Sequence, residues 1–375
     1  MECKFLKHGI APGNNGVIKP CCIWMADQQW KQNQHIKQVD LSTWHQSTEL
    51  KSIQQLMSQD IWPAPCGQCE QFESQGRTDS MRLNGNQAYA NYTDDDITLE
   101  IRPGNTCNFA CQTCWPEASS RVAQYYHQLG MIDIKQLDSQ KFENFDLLLP
   151  IANRIKDVVV LGGEPFYDKY CKKFLIWAEQ NLSANLMMFT NGSIIDWNFL
   201  NKYPGKITLI FSLDAIGRPA EYIRFGTEWD TLLANYQKVR QLQNVEVRVN
   251  VTTSVYNYIY LEELIDFLCQ DWPTVVSFGC PRQDFYNETS IPMEFRDEII
   301  GSLEKSVKRI FSTNIATDQK SNVLKTLKAL IHNLKTLPWN SDNYTQIKNQ
   351  IQNMDRVKGI NIADYCESTA RMLSH

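Results

Sequence analysis

Residues 97–116 read ITLEIRPGNTCNFACQTCWP. The stretch opens on an apolar run of strand length carrying Ile97, Leu99 and Ile101, and it breaks at Pro103 and Gly104, residues that end a strand and begin a loop. Three cysteines then follow on that loop at the spacing C-x3-C-x2-C: Cys107, Cys111 and Cys114. The same grammar repeats downstream. Further strands are expected at 157–161, 185–190, 206–213, 245–253 and 274–279, separated by longer helical stretches, the signature of βαβ units and a parallel sheet. Several end directly in polar or glycine-rich segments: Gly162-Gly163-Glu164-Pro165, Asn191-Gly192-Ser193, and Asp214-Ala215-Ile216-Gly217. In such folds the C-terminal strand ends carry the site. The expected fold is therefore α/β, a partial (β/α)6 TIM-like barrel over 96–285.

Around that barrel the sequence changes character. Residues 1–95 hold two further cysteine groups, a strand-like stretch at 16–22 and a helix-like stretch at 47–58 with Leu50, Ile53, Leu56 and Met57 on one face, and read as a small separate module. Residues 286–375 take up helical apolar spacing, from Ile299 and Leu303 to Leu330 and Leu334, and read as a C-terminal helical region. Lys and Arg number 37 against 42 Asp and Glu, a net charge of -5 that argues against broad nucleic-acid binding. No apolar run approaches the roughly 20 residues that span a bilayer, and the first residues lack the apolar core of a signal peptide. A cytoplasmic location without membrane contact is expected.

Twelve cysteines in such a chain need a reason, and eight of them fall within the first 114 residues. In a reducing compartment, clustered cysteines point to metal or redox chemistry before cross-links. Cys171, Cys269 and Cys366 stand alone and read as packed thiols. Cys107, Cys111 and Cys114 do not: three thiolates on one loop can hold three irons of a cubane and leave the fourth open to an exogenous ligand. Zinc is the rival, although structural zinc usually takes four protein ligands. Upstream, Cys3, Cys21, Cys66 and Cys69 form a split four-cysteine set for an iron-sulfur cluster or zinc, with Cys22 as the alternative to Cys21.

Taken in order, these segments resemble the radical S-adenosylmethionine (radical SAM) enzymes. The cysteine loop after the first barrel strand is similar to their signature, which implies a [4Fe-4S] cluster on Cys107, Cys111 and Cys114 with S-adenosylmethionine on the open iron. Gly162, Gly163, Glu164 and Pro165 look like the family's GGEP motif, which implies contact with the amino group of that cofactor. Asn191, Ser212, Asp214 and Arg224 lie where related enzymes place further contacts to it, and a guanidinium suits its carboxylate; the competing reading of Arg224 is a surface salt bridge.

The N-terminal spacing resembles the first part of the auxiliary domain called SPASM, or its shortened form, twitch, and implies one auxiliary [4Fe-4S] cluster. That module ordinarily follows the barrel and here precedes it. The whole order resembles twitch-domain proteins frequent in phage and marine sequences. The implied activity is reductive cleavage of S-adenosylmethionine to a 5′-deoxyadenosyl radical and abstraction of a substrate hydrogen, with a flavodoxin- or ferredoxin-type electron donor. The implied substrate is a peptide or protein; a nucleoside, sugar or other small metabolite is the alternative, and a zinc-stabilised binding protein is the reading from another class. Cys280, ending the sixth strand, is the candidate to return a hydrogen atom, against the reading of a packed strand-end thiol.

Overall fold

The computed structural model describes all residues except 14, 75, 77–79, 135–140, 280, 282 and 375. The chain is α/β, with eight strands in a mostly parallel sheet. They are β1 (Gly9–Pro12), β2 (Ile18–Lys19), β3 (Ile97–Ile101), β4 (Ile155–Val160), β5 (Asn185–Thr190), β6 (Ile207–Ser212), β7 (Val245–Thr252) and β8 (Val275–Gly279). The six expected strands are β3 to β8. β1 and β2 are additions: β1 pairs in parallel with β3, Gly9 opposite Thr98, and antiparallel with β2, Ala11 opposite Lys19. Two strands of the N-terminal region thus extend the sheet, where a separate module was expected. The strand read over 16–22 contracts to two residues, and Val17 bridges instead to His35.

Two compact units divide the chain. One comprises Met1–Gly104, Ser139–Met188 and Asp196–Ile207; the other comprises Asn105–Asp138, Phe189–Ile195 and Thr208–His375. The expected division into 1–95, 96–285 and 286–375 runs along the sequence and does not coincide with them.

In the first unit, β3 is buried along its whole length and pairs in parallel with β4, Leu99 opposite Val158. Burial on both faces is what a parallel strand under covering helices requires. The helix Lys169–Asn181 is capped by Asp168, whose carboxylate accepts the Tyr170 and Cys171 N–H groups, and it buries Phe174 against Phe145 with ring centroids 5.3 Å apart. The helix Thr48–Ser58 starts where Ser47 caps the Leu50 N–H and buries Leu50 and Met57; Leu56, expected on the same face, is exposed. Cys171 and Cys366 are buried as expected, and Cys269 is half-buried.

In the second unit β7 alternates buried and half-buried residues and pairs in parallel with β8, Val249 opposite Val276. The C-terminal region is helical at Met293–Ser312, Thr317–Thr336 and Ser341–Lys358. Arg296 is 2% exposed, and its guanidinium donates to the carbonyls of Glu288, Ile291, Leu334 and Leu337, so one buried cation ties the first two of these helices together. Among the described residues no helix is long and apolar enough to cross a membrane.

His45 supplies a pH test of the first unit. Its Nε2 lies 3.0 Å from the Gly9 carbonyl at the start of β1, a bond the neutral ring makes as donor, and burial pulls its pKa down to about 4. The folded pKa lies below the unfolded one, so its contribution is complete above pH 6.5 and is lost as pH falls toward 4. The loss amounts to roughly 3 kcal/mol. Urea unfolding at pH 7.5 and 4.5 is expected to show a larger acid loss in the wild type than in His45→Gln; equal losses would contradict this role.

Candidate metal centres

The cysteine loop lies in the second unit, and its carbonyl oxygens are held one by one. The Asn108 carbonyl accepts from Arg121, that of Phe109 from Ser119 Oγ (3.0 Å), and that of Ala110 from Lys358 Nζ (2.9 Å). The Cys111 carbonyl accepts the Cys114 N–H (3.3 Å), and that of Gln112 accepts from Tyr286 Oη (2.9 Å). Two N–H groups anchor the other edge, Ala110 to the Phe225 carbonyl (2.8 Å) and Gln112 to that of Ile223 (2.7 Å). Gly226, at φ +113°, passes beneath: a Cβ there would come within 2.8 Å of the Phe109 ring. With its backbone polar groups satisfied on all sides, this loop has little freedom to rearrange.

Burial raises the thiols of Cys111 and Cys114, the latter to about 12 with added electrostatic opposition from Cys111 and Cys107. Such thiols stay protonated until a cation displaces the proton, as a bound iron does. Donors stand ready around them. The Phe109 N–H lies 3.4 Å from Cys107 Sγ, and Asn191 Nδ2 lies 4.0 Å from that sulfur while donating to Asn108 Oδ1 (2.9 Å). Asn191 therefore braces the loop, with Ser193 bonded to both Asn191 and Asn108.

Arg224 is not a surface salt bridge. Its Nη1 donates to Asp214 Oδ2 at 2.9 Å, Asp214 is fully buried, and Asp214 Oδ1 accepts the Thr252 N–H at 2.6 Å. Burial opposes the Arg224 charge, but Cys111 and Asp214 outweigh it and raise the pKa. Its Nε and the Nε2 of Gln112, both buried, have no hydrogen-bond partner. Unpartnered buried donors are costly unless a ligand takes them, so the donor set fits an anionic cluster and a carboxylate. Ser212 closes β6, half-buried. Cys280 lies outside the described residues.

The remaining candidates belong to the first unit. Gly162 sits at φ +139°, and a Cβ there would meet the Gly104 carbonyl at 2.4 Å; at Gly104 it would meet Asp168 Oδ2 at 2.5 Å. Two glycines thus let the strand-end loops close on the helix cap. Glu164 is 1% exposed with Oε1 accepting the Phe166 N–H at 3.3 Å, Pro165 is buried and Gly163 half-buried.

Cys3, Cys21, Cys66 and Cys69 line one apolar cavity with Trp24, Trp62 and Arg82. Burial raises the thiols of Cys3 to about 11 and Cys66 to about 12, opposed at Cys3 by the N–H groups of Leu6 and Phe5. Cys69 receives the N–H groups of Arg82 and Met81, at the start of the helix Met81–Ala88, and Arg82 is paired with Glu73. Helix N-termini and a nearby guanidinium favour thiolates. Trp24 Nε1, 4% exposed as a residue, is an unpartnered donor on the same wall. Cys22 is exposed, its N–H bonded to Glu100 Oε2 at 2.7 Å. Among the described residues no three His, Cys, Asp or Glu side chains gather as a single ion needs; a cubane spreads its thiolates more widely than one zinc at about 2.3 Å from each sulfur.

No protein-family profile and no curated protein matches the chain. Among solved structures it is similar to Streptococcus suis SuiB bound to S-adenosylmethionine, at 16% identity over 60% of this chain and 49% of that one, with a TM-score of 0.36. It is also similar to native anSMEcpe with bound AdoMet, at 16% over 57% and 61% with a TM-score of 0.38, and to TYW1 with a lysine-pyruvate adduct bound, at 16% over 73% and 94% with 0.37. The chain thus matches about half to three-fifths of the first two. Likeness this distant carries no chemistry.

Sequence reading assigned no role to Lys358, Gln112, Tyr286 or Asn108, each of which contacts or belongs to the cysteine loop. Replacing Arg224 by Met is expected to lower stability by about 3–5 kcal/mol, because it leaves the Asp214 carboxylate buried without its cation. The addition of Asp214→Asn should recover part of that loss, measured as the urea midpoint; a single variant as stable as the wild type would show that the pair is not buried in solution.

Proposed function

We propose that this chain is a radical SAM enzyme with one auxiliary iron-sulfur cluster, of the twitch or SPASM type, acting on a peptide or protein. One observation carries the reading: three cysteines on one loop held from every side, with the buried unpartnered donors Arg224 Nε and Gln112 Nε2 beside it. Bound there, a [4Fe-4S] cluster and S-adenosylmethionine supply a 5′-deoxyadenosyl radical able to take hydrogen from an unreactive carbon. The protein's own part is to hold, orient and exclude water.

Cys107, Cys111 and Cys114 are the proposed iron ligands, and the number three matters because it leaves one iron for the cofactor. Asp214 fixes the plane of Arg224, which then offers Nε to a carboxylate. Glu164, buried between Gly163 and Pro165, is a carboxylate suited to an ammonium group, the role its resemblance gives it. Cys3, Cys21, Cys66 and Cys69 are the proposed auxiliary ligands; the cavity they share supports Cys21 over Cys22. Electrons would come from an external flavodoxin or ferredoxin. The peptide or protein substrate rests on the resemblance of this second cysteine set.

Dithionite-reduced, anaerobically reconstituted protein is expected to form 5′-deoxyadenosine from S-adenosylmethionine. The triple variant Cys107→Ala, Cys111→Ala, Cys114→Ala should lose that product to background. Equal yields from the two proteins would overturn the assignment.

A further inference from the structure

Residues 354–361 span the end of the helix Ser341–Lys358, and two of them, Asp355 and Gly359, hold that end in place. Gly359 takes the left-handed conformation, φ +67°, and its N–H returns to the Asp355 carbonyl. The Asp355 carboxylate accepts from Tyr222 Oη and from the Ile362 N–H, both at 2.8 Å. The helix therefore stops sharply at Lys358. A cation in the last turn is favoured by the helix dipole.

What Lys358 reaches lies 248 residues away in sequence. Its Nζ donates to the Ala110 carbonyl at 2.9 Å and to Gln112 Oε1 at 3.0 Å, and it stands 5.2 Å from the centroid of the Phe225 ring. An ammonium has three donors and no acceptor. Here two oxygens and one ring face meet them. The contact also settles the Gln112 amide: the ammonium must face its oxygen, so the unpartnered buried atom is the Nε2 donor. Burial pulls the Lys358 ammonium down to about 7, opposed by the negative charge of Cys111, Asp355 and Cys114, so an anionic group held by those thiols would keep it charged.

We propose that Lys358 is a positioning residue of the cysteine loop: it fixes Ala110 and the Gln112 amide, reserves Gln112 Nε2 as a donor for the group those thiols hold, and sets a cation beside it. This rests on the proposed iron-sulfur reading. A nearby cation and donated hydrogen bonds stabilise the more negative, reduced form of a cluster and so raise its potential. The C-terminal helix thereby takes part in tuning the centre without touching a cofactor.

The test is a redox titration of the full-length, reconstituted protein, following the electron paramagnetic resonance signal that changes when S-adenosylmethionine is added, with iron content measured alongside. Lys358→Met is expected to shift the midpoint to lower potential, or to lose the SAM-sensitive signal where the loop no longer holds iron. Lys358→Arg, which keeps the cation, is expected to restore it. Wild-type midpoints in both variants would overturn the proposal, as would equal loss in both, because a retained cation must rescue. A wild type without any SAM-sensitive iron signal would instead overturn the underlying reading, and the proposal with it.

Discussion

The carbonyl oxygens of residues 108–112 are the constraint on which the cysteine site depends. Five consecutive acceptors are each taken, by Arg121, Ser119, Lys358, the Cys114 N–H and Tyr286. A loop of this length would otherwise turn some of its carbonyls toward its own sulfurs, where their negative ends would oppose an anionic cluster. Tying them off elsewhere leaves N–H donors to meet the thiols, as Phe109 does for Cys107. The donors come from the helix Ser120–Gln128, its cap, the segment before the C-terminal helices and the end of the helix Ser341–Lys358, so the loop's shape depends on distant parts of the second unit.

The same logic applies, with different parts, to the second cysteine set. Cys3 and Cys69 take backbone N–H groups at the start of short helices, and Arg82 stands among the thiols with its charge balanced by Glu73. Burial alone would keep these thiols protonated. The helix ends and the guanidinium lower that barrier, and the proposed cluster would complete the change. Trp24, with a buried N–H and nothing to receive it, belongs to the same arrangement.

Much of the sheet was legible because β3 to β8 are apolar runs bounded by glycine, proline or polar loops, and the cysteine spacing was legible because it is local. The missed strand β1, Gly-Ile-Ala-Pro, is four residues long and ends in proline, so neither periodicity nor β-propensity marks it. Leu56 sits at the margin of the expected face and is exposed, while Leu50 and Met57 are buried. Lys358 was illegible for a different reason: a lysine near a helix end reads as a solvated charge, and its partners are 246 and 248 residues earlier. Arg224 stood at the border, since its chemistry suits a salt bridge or a carboxylate equally, and only its burial against Asp214 with Nε left over separates the two.

The central claim is that two thiol sets hold two four-iron clusters, one of three cysteines and one of four. Iron and acid-labile sulfide measured on anaerobically reconstituted, desalted protein test it most directly. The account predicts about eight of each per chain, falling to about four when either set is replaced by alanine. Stoichiometric zinc with iron near zero would contradict it.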